Sequence, residues 1–210
     1  YYGEQLEKTR NAYIKAFVKK DGTMKDDYQG AYVMALKMVL PKGELWNKVY
    51  HQLVQRLTRD GMQTGFFATE HILPLLADNG DEQLAFDLLL DERCGGWMYQ
   101  VKAGATTTWE RWDAIKPDGS VNETKSNGDN MVSFNHYSFG SVGKFYYQYI
   151  LGIQPLEPGF AKIKIRPRID SRIGTFSGSY KDILVAYDGK TLHISTPADT
   201  QIILPDGTVH

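Results

Sequence analysis

The feature of this sequence that most constrains its fold is a change of hydrophobic period at residues 154–159. Before this point apolar residues recur every three or four positions, as in the segment from Glu44 to Arg59. After it they alternate with polar residues, as in the segment from Ala161 to Pro167. The first spacing is that of an amphipathic helix and the second that of a half-buried strand. The sequence therefore predicts two structural units, a mainly α-helical one followed by a small β one.

The helical part alternates between helices with one polar face and helices that are apolar on nearly all sides. Nested helical hairpins produce this alternation, because an outer helix is followed by an inner one that is buried all round. An α/α barrel fits this pattern, and so does an α-solenoid, although no fixed repeat period supports the solenoid. The predicted helices are Leu6 to Phe17, Ala31 to Leu40, Glu44 to Arg59, Gly65 to Leu76, a fifth capped by Asp81, a short aromatic segment Trp97 to Lys102, and a last one from Phe134 to Ile153.

The β part is placed at residues 154–210 and has about five strands. Asp188-Gly189 is a turn signal between two of them. The predicted strands are Ala161 to Pro167, Gly174 to Tyr180, Ile183 to Tyr187, Thr191 to Ser195 and Gln201 to Leu204.

Charge and composition exclude several classes of function. With 24 Lys and Arg against 25 Asp and Glu, the chain lacks the basic face that a nucleic-acid partner requires. No apolar run approaches the roughly 20 residues of a membrane span, and no secretory signal pattern stands at the front. Cys94 has no second cysteine to pair with. We expect a soluble protein and leave the choice between periplasm and cytoplasm open. Both ends suggest a piece of a longer chain.

The segment Thr108-Trp109-Glu110-Arg111-Trp112-Asp113 carries the chemistry of this sequence. Tryptophan faces cover the apolar side of sugar rings, and carboxylates bond their hydroxyls or act as acid and base. The plainer interpretation is that both tryptophans belong to the core and that Glu110 and Arg111 form a surface ion pair. The motif alone does not decide between the two.

Four segments in order resemble the bacterial α-L-rhamnosidases of glycoside hydrolase family 78. The stretch Gly174 to Tyr180 also resembles the family's β domain. The four segments are Thr64 to Thr69, Ala105 to Asp113, Ser133 to Gly140, and Pro158-Gly159 with Ile165 to Arg168.

The resemblance implies that residues 1–153 form the C-terminal part of an (α/α)6 barrel and residues 154–210 a C-terminal β-sandwich. It implies an inverting hydrolase that releases terminal α-L-rhamnose from rhamnosides or rhamnose-containing polysaccharides. Glu110 would be the general base, and His136 would contact the sugar. The only partner implied is the carbohydrate substrate, and no cofactor or metal is implied. The oligomeric state, the linkage and the aglycone stay open, as does a calcium contact through loop carboxylates.

The remaining candidate residues stand close to Glu110 or His136 in the sequence. Trp109 and Trp112 either line the sugar pocket or brace the Glu110 loop. Arg111 is expected to stabilise the ionised form of Glu110, and Asn135 belongs to the expected sugar-binding set. His136 donates to a sugar hydroxyl, or is a structural histidine.

An inverting glycosidase needs a second carboxyl group roughly 6.5–9.5 Å from the base. In the family this general acid lies far upstream, and no segment of this chain resembles its motif. We therefore expect the chain on its own to be inactive. The alternatives are a catalytically silent or differently specific carbohydrate-binding relative, an α-solenoid interaction module, and another α/α-barrel hydrolase or lyase.

Overall fold

A computed structural model describes residues 1–122, 132–196, 201–202 and 206–209 of the chain. These residues form two compact units, Tyr1–Gly140 and Ser141–His210, and each unit has its own buried core. Residues 123–131, which precede Phe134, lie outside the described residues, as does the end of the last predicted strand.

The first unit is helical, and its helices stand where the sequence pattern predicts them. They are α1 (Tyr2–Phe17), α2 (Gln29–Met34, continued by a π-helical turn, Ala35–Val39), α3 (Glu44–Asp60), α4 (Phe66–Ala77), α5 (Glu82–Leu89) and α6 (Trp97–Lys102).

The predicted alternation of outer and inner helices is present in this unit. Five of the six residues of α2 are buried, and so are seven of the twelve residues of α4. Helix α3 buries one face, formed by Trp46, Val49, Leu53 and Leu57, whereas α1 buries none of its residues. Helix α2 packs against both α3 and α4, and α4 packs against α5. The all-apolar helices are therefore the central ones, because only they have neighbours on several sides.

Asp81 was predicted to cap helix α5, and it stands at the right position but does not make the capping hydrogen bond. Asp81 occupies the N-cap position of α5, but its side chain makes no capping hydrogen bond. Its carboxylate instead accepts a 2.6 Å hydrogen bond from the hydroxyl of Tyr50 on α3. Burial raises the pKa of Tyr50, and the bond to Asp81 adds to this effect. A partner from another helix has replaced the local cap, which sequence spacing could not indicate.

The second unit begins with a helix and ends in two small sheets. The elements are α7 (Val142–Phe145, continued by a π-helical turn, Tyr146–Ile150), β1 (Ile153–Pro155), β2 (Ile163–Ile165), β3 (Phe176–Tyr180), β4 (Ile183–Tyr187), β5 (Leu192–Ser195) and β6 (Gln201–Ile202). The strand order is β1-β2-β6 in one sheet, with β1 antiparallel and β6 parallel to β2, and β3-β4-β5 in the other, which is antiparallel throughout.

The core of the second unit is aliphatic and joins the end of its helix to its strands. Phe160, Phe176, Leu192 and Ile194 pack around this core and are partly buried. The buried members are Leu151, Ile153, Ile163, Ile165, Ile183 and Val185. The predicted strands are present, while β1 was missed because its short sequence, with Pro155 at its end, gives no alternating pattern.

The last predicted helix, Phe134 to Ile153, is too long at both ends. Helical structure begins with a 3-10 turn at Ser138 and ends at Ile150. The backbone of Phe134 and His136 is bonded to residues 107–108 instead of to a helical turn. The assignment of residues 1–153 to one domain and of 154–210 to another stays a prediction.

Gly152 allows the chain to turn between α7 and β1. Its φ is +74°, and a Cβ atom at this position would lie 2.1 Å from the carbonyl carbon of Arg166. Backbone atoms cannot give way as a flexible side chain can. We expect Gly152→Ala to destabilise the protein by about 2 kcal/mol or more, which a thermal melt would measure. Gly143→Ala, in α7 with open space around it, is the control and should be neutral. Equal melting temperatures for both variants would contradict the prediction.

Asp27 ties the loop before α2 to α3. Its carboxylate accepts two hydrogen bonds from the guanidinium of Arg56 and one from the hydroxyl of Tyr32. The Arg56 bonds, followed by the Tyr32 bond, lower the pKa of Asp27 to about 2. A lowered pKa stabilises the folded state at pH values above the unfolded pKa, and this contribution is lost as the pH falls towards 2. Because the Asp27 side chain is 55% exposed, the contribution is about 1 kcal/mol.

We therefore expect Asp27→Asn to lower the free energy of unfolding by about 1 kcal/mol at pH 6 and by clearly less at pH 3. Urea unfolding at both pH values would measure the difference. Asp26→Asn, at the neighbouring exposed position, is the control. A difference between wild type and Asp27→Asn that does not shrink with falling pH would contradict the ion-pair account.

Candidate active site

A cleft of about 550 Å³ lies in the first unit, between the end of α3, the start of α4 and the loop before α6. The segment Glu110 to Asp113 forms one of its walls. A volume of this size suits a small-molecule site. The lining residues are Asp60, Met62, Gln63, Thr64, Gly65, Phe66, Cys94, Gly95, Glu110, Arg111, Trp112, Asp113 and Phe139.

Glu110 is the half-buried carboxylate of this wall, and Ser133 holds it at two points. The backbone N–H of Glu110 donates to the carbonyl of Ser133 at 2.9 Å, and the N–H of Ser133 donates to Oε2 of Glu110 at 2.8 Å. Within the described residues no donor reaches the other carboxylate oxygen, Oε1. One oxygen is thus fixed and the other has lone pairs available to accept a proton.

The bonds at Ser133 belong to a longer contact between residues 107–110 and residues 133–136, which we name the clasp. The N–H of His136 donates to the carbonyl of Thr108 at 2.8 Å, and the Thr108 hydroxyl donates to the carbonyl of His136 at 2.5 Å. The Thr107 hydroxyl donates to the carbonyl of Phe134. The clasp brings the two sequence motifs that contain Glu110 and His136 side by side.

Trp112 lies in the cleft wall with a fixed orientation. Its ring stacks on Phe139 with 3.8 Å between centroids and meets Trp97 edge to face at 5.2 Å. Its indole N–H donates to the carbonyl of Thr64 at 2.8 Å. Phe66 lies beside Phe139 and adds a further aromatic ring to the lining. The cleft therefore offers rigid aromatic surface next to a carboxylate.

Trp109 has a different environment, because only 3% of it is exposed and it does not line the cleft. Its backbone N–H donates to Oε1 of the buried Gln100 at 3.3 Å, and its ring packs edge to face on Phe134 at 5.7 Å. The two tryptophans of the motif thus separate into one in the cleft wall and one in the core behind it.

His136 is oriented by its neighbours. Its ring stacks on Phe66 at 4.5 Å, and its Nδ1 accepts a hydrogen bond from the N–H of Ser138 at 3.3 Å. In the neutral imidazole the proton is then on Nε2, which can donate to a ligand. Asn135 is exposed, and its backbone N–H donates to the hydroxyl of Ser133 at 3.2 Å.

The ion pair described for Arg111 is with Asp113 and not with Glu110. Two guanidinium nitrogens approach the Asp113 carboxylate, at 3.3 Å to Oδ1 and 3.4 Å to Oδ2. The side-chain amide of the buried Asn122 donates to the same carboxylate at 2.6 Å. Arg111 therefore bonds the carboxylate of Asp113, whereas the sequence suggested that it would stabilise Glu110.

Two more titratable groups lie at the rim of the cleft. Hydrogen bonds from Arg59 lower the pKa of Asp60, so Asp60 is an anion at neutral pH. Burial raises the pKa of the Cys94 thiol, and this favours its protonated form. Sequence reasoning missed Asp60 as a lining residue. Thr64, Phe66 and Phe139 belonged to recognised segments but were given no role.

The described residues contain no group of three or more His, Cys, Asp or Glu side chains that could hold a metal ion. In the same ranges, no helix has the length and apolar character needed to cross a membrane.

Comparison with known proteins identifies the family of this segment. The family model of the bacterial alpha-L-rhamnosidase 6 hairpin glycosidase domain matches residues 1–150. An alpha-L-rhamnosidase from Streptomyces avermitilis is 35% identical over 95% of this chain, and one from Formosa agariphila is 30% identical over 90%.

Solved structures agree with these matches. The crystal structure of the Streptomyces avermitilis enzyme complexed with L-rhamnose superposes with a TM-score of 0.84 over 97% of this chain, at 32% identity. That of an Aspergillus terreus α-L-rhamnosidase gives 0.80 over the full chain, at 28% identity. The chain spans about a fifth of the length of the Streptomyces protein and about a quarter of the Aspergillus one.

Proposed function

Because this chain belongs to the bacterial α-L-rhamnosidase six-hairpin glycosidase family, we propose that it is part of the catalytic region of an enzyme that hydrolyses α-L-rhamnosides. In this proposal residues 1–153 contribute to an (α/α)6 barrel and residues 154–210 to a β-sandwich. The substrate is a terminal α-L-rhamnosyl group on a small rhamnoside or on a polysaccharide. The L-rhamnose in the complex of the Streptomyces enzyme supports this sugar class.

Glu110 is the general base of the proposed reaction. The three carboxylates in the cleft differ in their hydrogen-bond donors, and this difference is the observation that supports the assignment. Asp60 accepts bonds from Arg59 on both of its oxygens, and Asp113 accepts bonds from Arg111 on both of its oxygens. Glu110 is held through Oε2 by a neutral peptide N–H, and Oε1 has no donor among the described residues. Of the three, Glu110 alone has an oxygen that accepts no bond within the described residues, and in this proposal that oxygen takes the proton from water.

The reaction then proceeds with inversion at the anomeric carbon. Oε1 of Glu110 accepts a proton from a water molecule, and the water oxygen attacks the anomeric carbon from the face opposite the leaving group. A second carboxyl group must donate a proton to the departing oxygen. We place this general acid in a part of the enzyme outside the present 210 residues.

The other site residues bind or brace in this proposal. Trp112 covers one face of the sugar ring, and Nε2 of His136 donates to a hydroxyl. The Arg111–Asp113 pair offers a further donor and acceptor, and Asn135 contacts the sugar from its exposed position. Trp109 is assigned a bracing role because it is buried behind the cleft wall.

The test of the base is rhamnose release from p-nitrophenyl α-L-rhamnopyranoside by the full-length protein and its Glu110→Gln variant. The amide keeps the shape of the carboxylate but cannot take up a proton. We expect kcat to fall by about three orders of magnitude or more, with KM changed little. Glu44→Gln, at an exposed position on α3, is the matched control and should keep full activity.

Full activity in Glu110→Gln would show that the motif is structural. An inactive wild-type protein would favour the alternative of a catalytically silent or differently specific carbohydrate-binding relative. Binding of L-rhamnose by such an inactive wild type, measured by calorimetry, would separate a silent protein from one that takes another sugar.

The 210-residue chain by itself should not hydrolyse the substrate, because the general acid is missing from it. The measurement is the same assay on the isolated chain, after circular dichroism has shown that it is helical. Rhamnosidase activity in the isolated chain would contradict the placement of the acid elsewhere.

A further inference from the structure

Glu110 and His136 both lie on irregular segments, outside the helices and strands. Loop residues are positioned less firmly than residues of helices, yet a general base must be held within a fraction of an ångström. The cross-links of the clasp are therefore the obvious means of fixing the distance between these two residues. Two of these cross-links come from side chains, the hydroxyls of Thr107 and Thr108.

We propose that Thr107 and Thr108 are positioning residues for the reaction, whose hydroxyls fix the segment of His136 against the segment of Glu110. This inference rests on the proposed function. Neither threonine lines the cleft, and both hydroxyls are bonded to backbone carbonyls. Each acts on a backbone carbonyl of the opposite segment, Thr107 on Phe134 and Thr108 on His136.

The geometry at Thr108 supports this role. Its carbonyl accepts the N–H of His136 while its hydroxyl donates to the carbonyl of the same residue. Two bonds to one residue define both its distance and its orientation, which a single bond does not. Threonine suits the task because its branched Cβ restricts rotation about χ1 and so directs the hydroxyl.

The location of Thr107 argues against a role in stability alone. Thr107 is exposed, and its hydroxyl can bond water when it leaves the carbonyl of Phe134. Exchange of a protein partner for water changes the free energy of folding little. The bond nevertheless fixes Phe134, whose ring packs on Trp109 directly before Glu110. What the hydroxyl contributes is the position of the base.

The experiment compares two double variants of the full-length protein, Thr107→Val with Thr108→Val, and Thr107→Ser with Thr108→Ser. Valine keeps the shape of threonine without the hydroxyl, whereas serine keeps the hydroxyl. We expect the valine pair to lower kcat by about 10- to 100-fold and to change KM less than about threefold, because Trp112 and Phe66 still hold the sugar and the imidazole. The serine pair should keep more than about a third of kcat.

Thr58→Val is the matched control, because its hydroxyl also donates to a backbone carbonyl, that of Val54, but on the exposed side of α3. It should leave kcat unchanged. The proposal is overturned if the valine pair has the kcat of wild type, or if the serine pair loses as much as the valine pair. It is also overturned if kcat falls only in proportion to the fraction of unfolded protein in a thermal melt.

Amide hydrogen exchange separates this inference from the proposed function. In the valine pair the amides of Glu110 and His136 should exchange at least about tenfold faster than in wild type, whether or not the protein hydrolyses rhamnosides. Unchanged exchange would overturn the positioning role. An inactive wild type with faster exchange in the valine pair would overturn the proposed function and, with it, the catalytic meaning of the clasp.

Discussion

The hydrogen bonds between residues 107–110 and residues 133–136 are the interaction on which the rest of the site depends. They join two segments that are more than twenty positions apart in sequence. They therefore place the carboxylate of Glu110 and the imidazole of His136 on neighbouring irregular segments. Without these bonds both residues would belong to separate irregular loops, and no helix or strand of the first unit would define the distance between them.

Aromatic packing gives this pair of loops a rigid support. Trp112 stacks on Phe139, and Phe66 lies against both Phe139 and His136. The indole N–H groups of Trp97 and Trp112 are both bonded to backbone carbonyls, so neither leaves an unpaired polar atom in the apolar cluster. The cluster combines residues from the start of α4, from α6 and from the 3-10 turn that precedes α7. The aromatic cluster thus connects the loops of Glu110 and His136, the proposed functional groups, to the helices.

Much of this arrangement could be predicted from the sequence, and the remainder failed for identifiable physical reasons. Helix positions followed from apolar periodicity, and Glu110 and His136 followed from motifs that resemble a known family. The partner of Arg111 did not, because two carboxylates within two residues of it are equivalent in sequence and only the fold selects Asp113. The start of the last helix was also wrong. The backbone of residues 134–136 bonds to the clasp, and this long-range interaction overrides a local helical pattern.

The three carboxylates of the cleft differ in their hydrogen-bond partners. An anion that accepts bonds from a guanidinium on both oxygens has its charge balanced and both oxygens engaged, as in Asp60 and Asp113. An anion held by a single peptide N–H is oriented and, within the described residues, keeps one oxygen that accepts no bond, as Glu110 does. In the proposed reaction this difference distinguishes Glu110 from the other two carboxylates. The guanidinium groups of Arg59 and Arg111 bond Asp60 and Asp113, and neither is described as bonding Oε1 of Glu110, the oxygen that we propose accepts the proton.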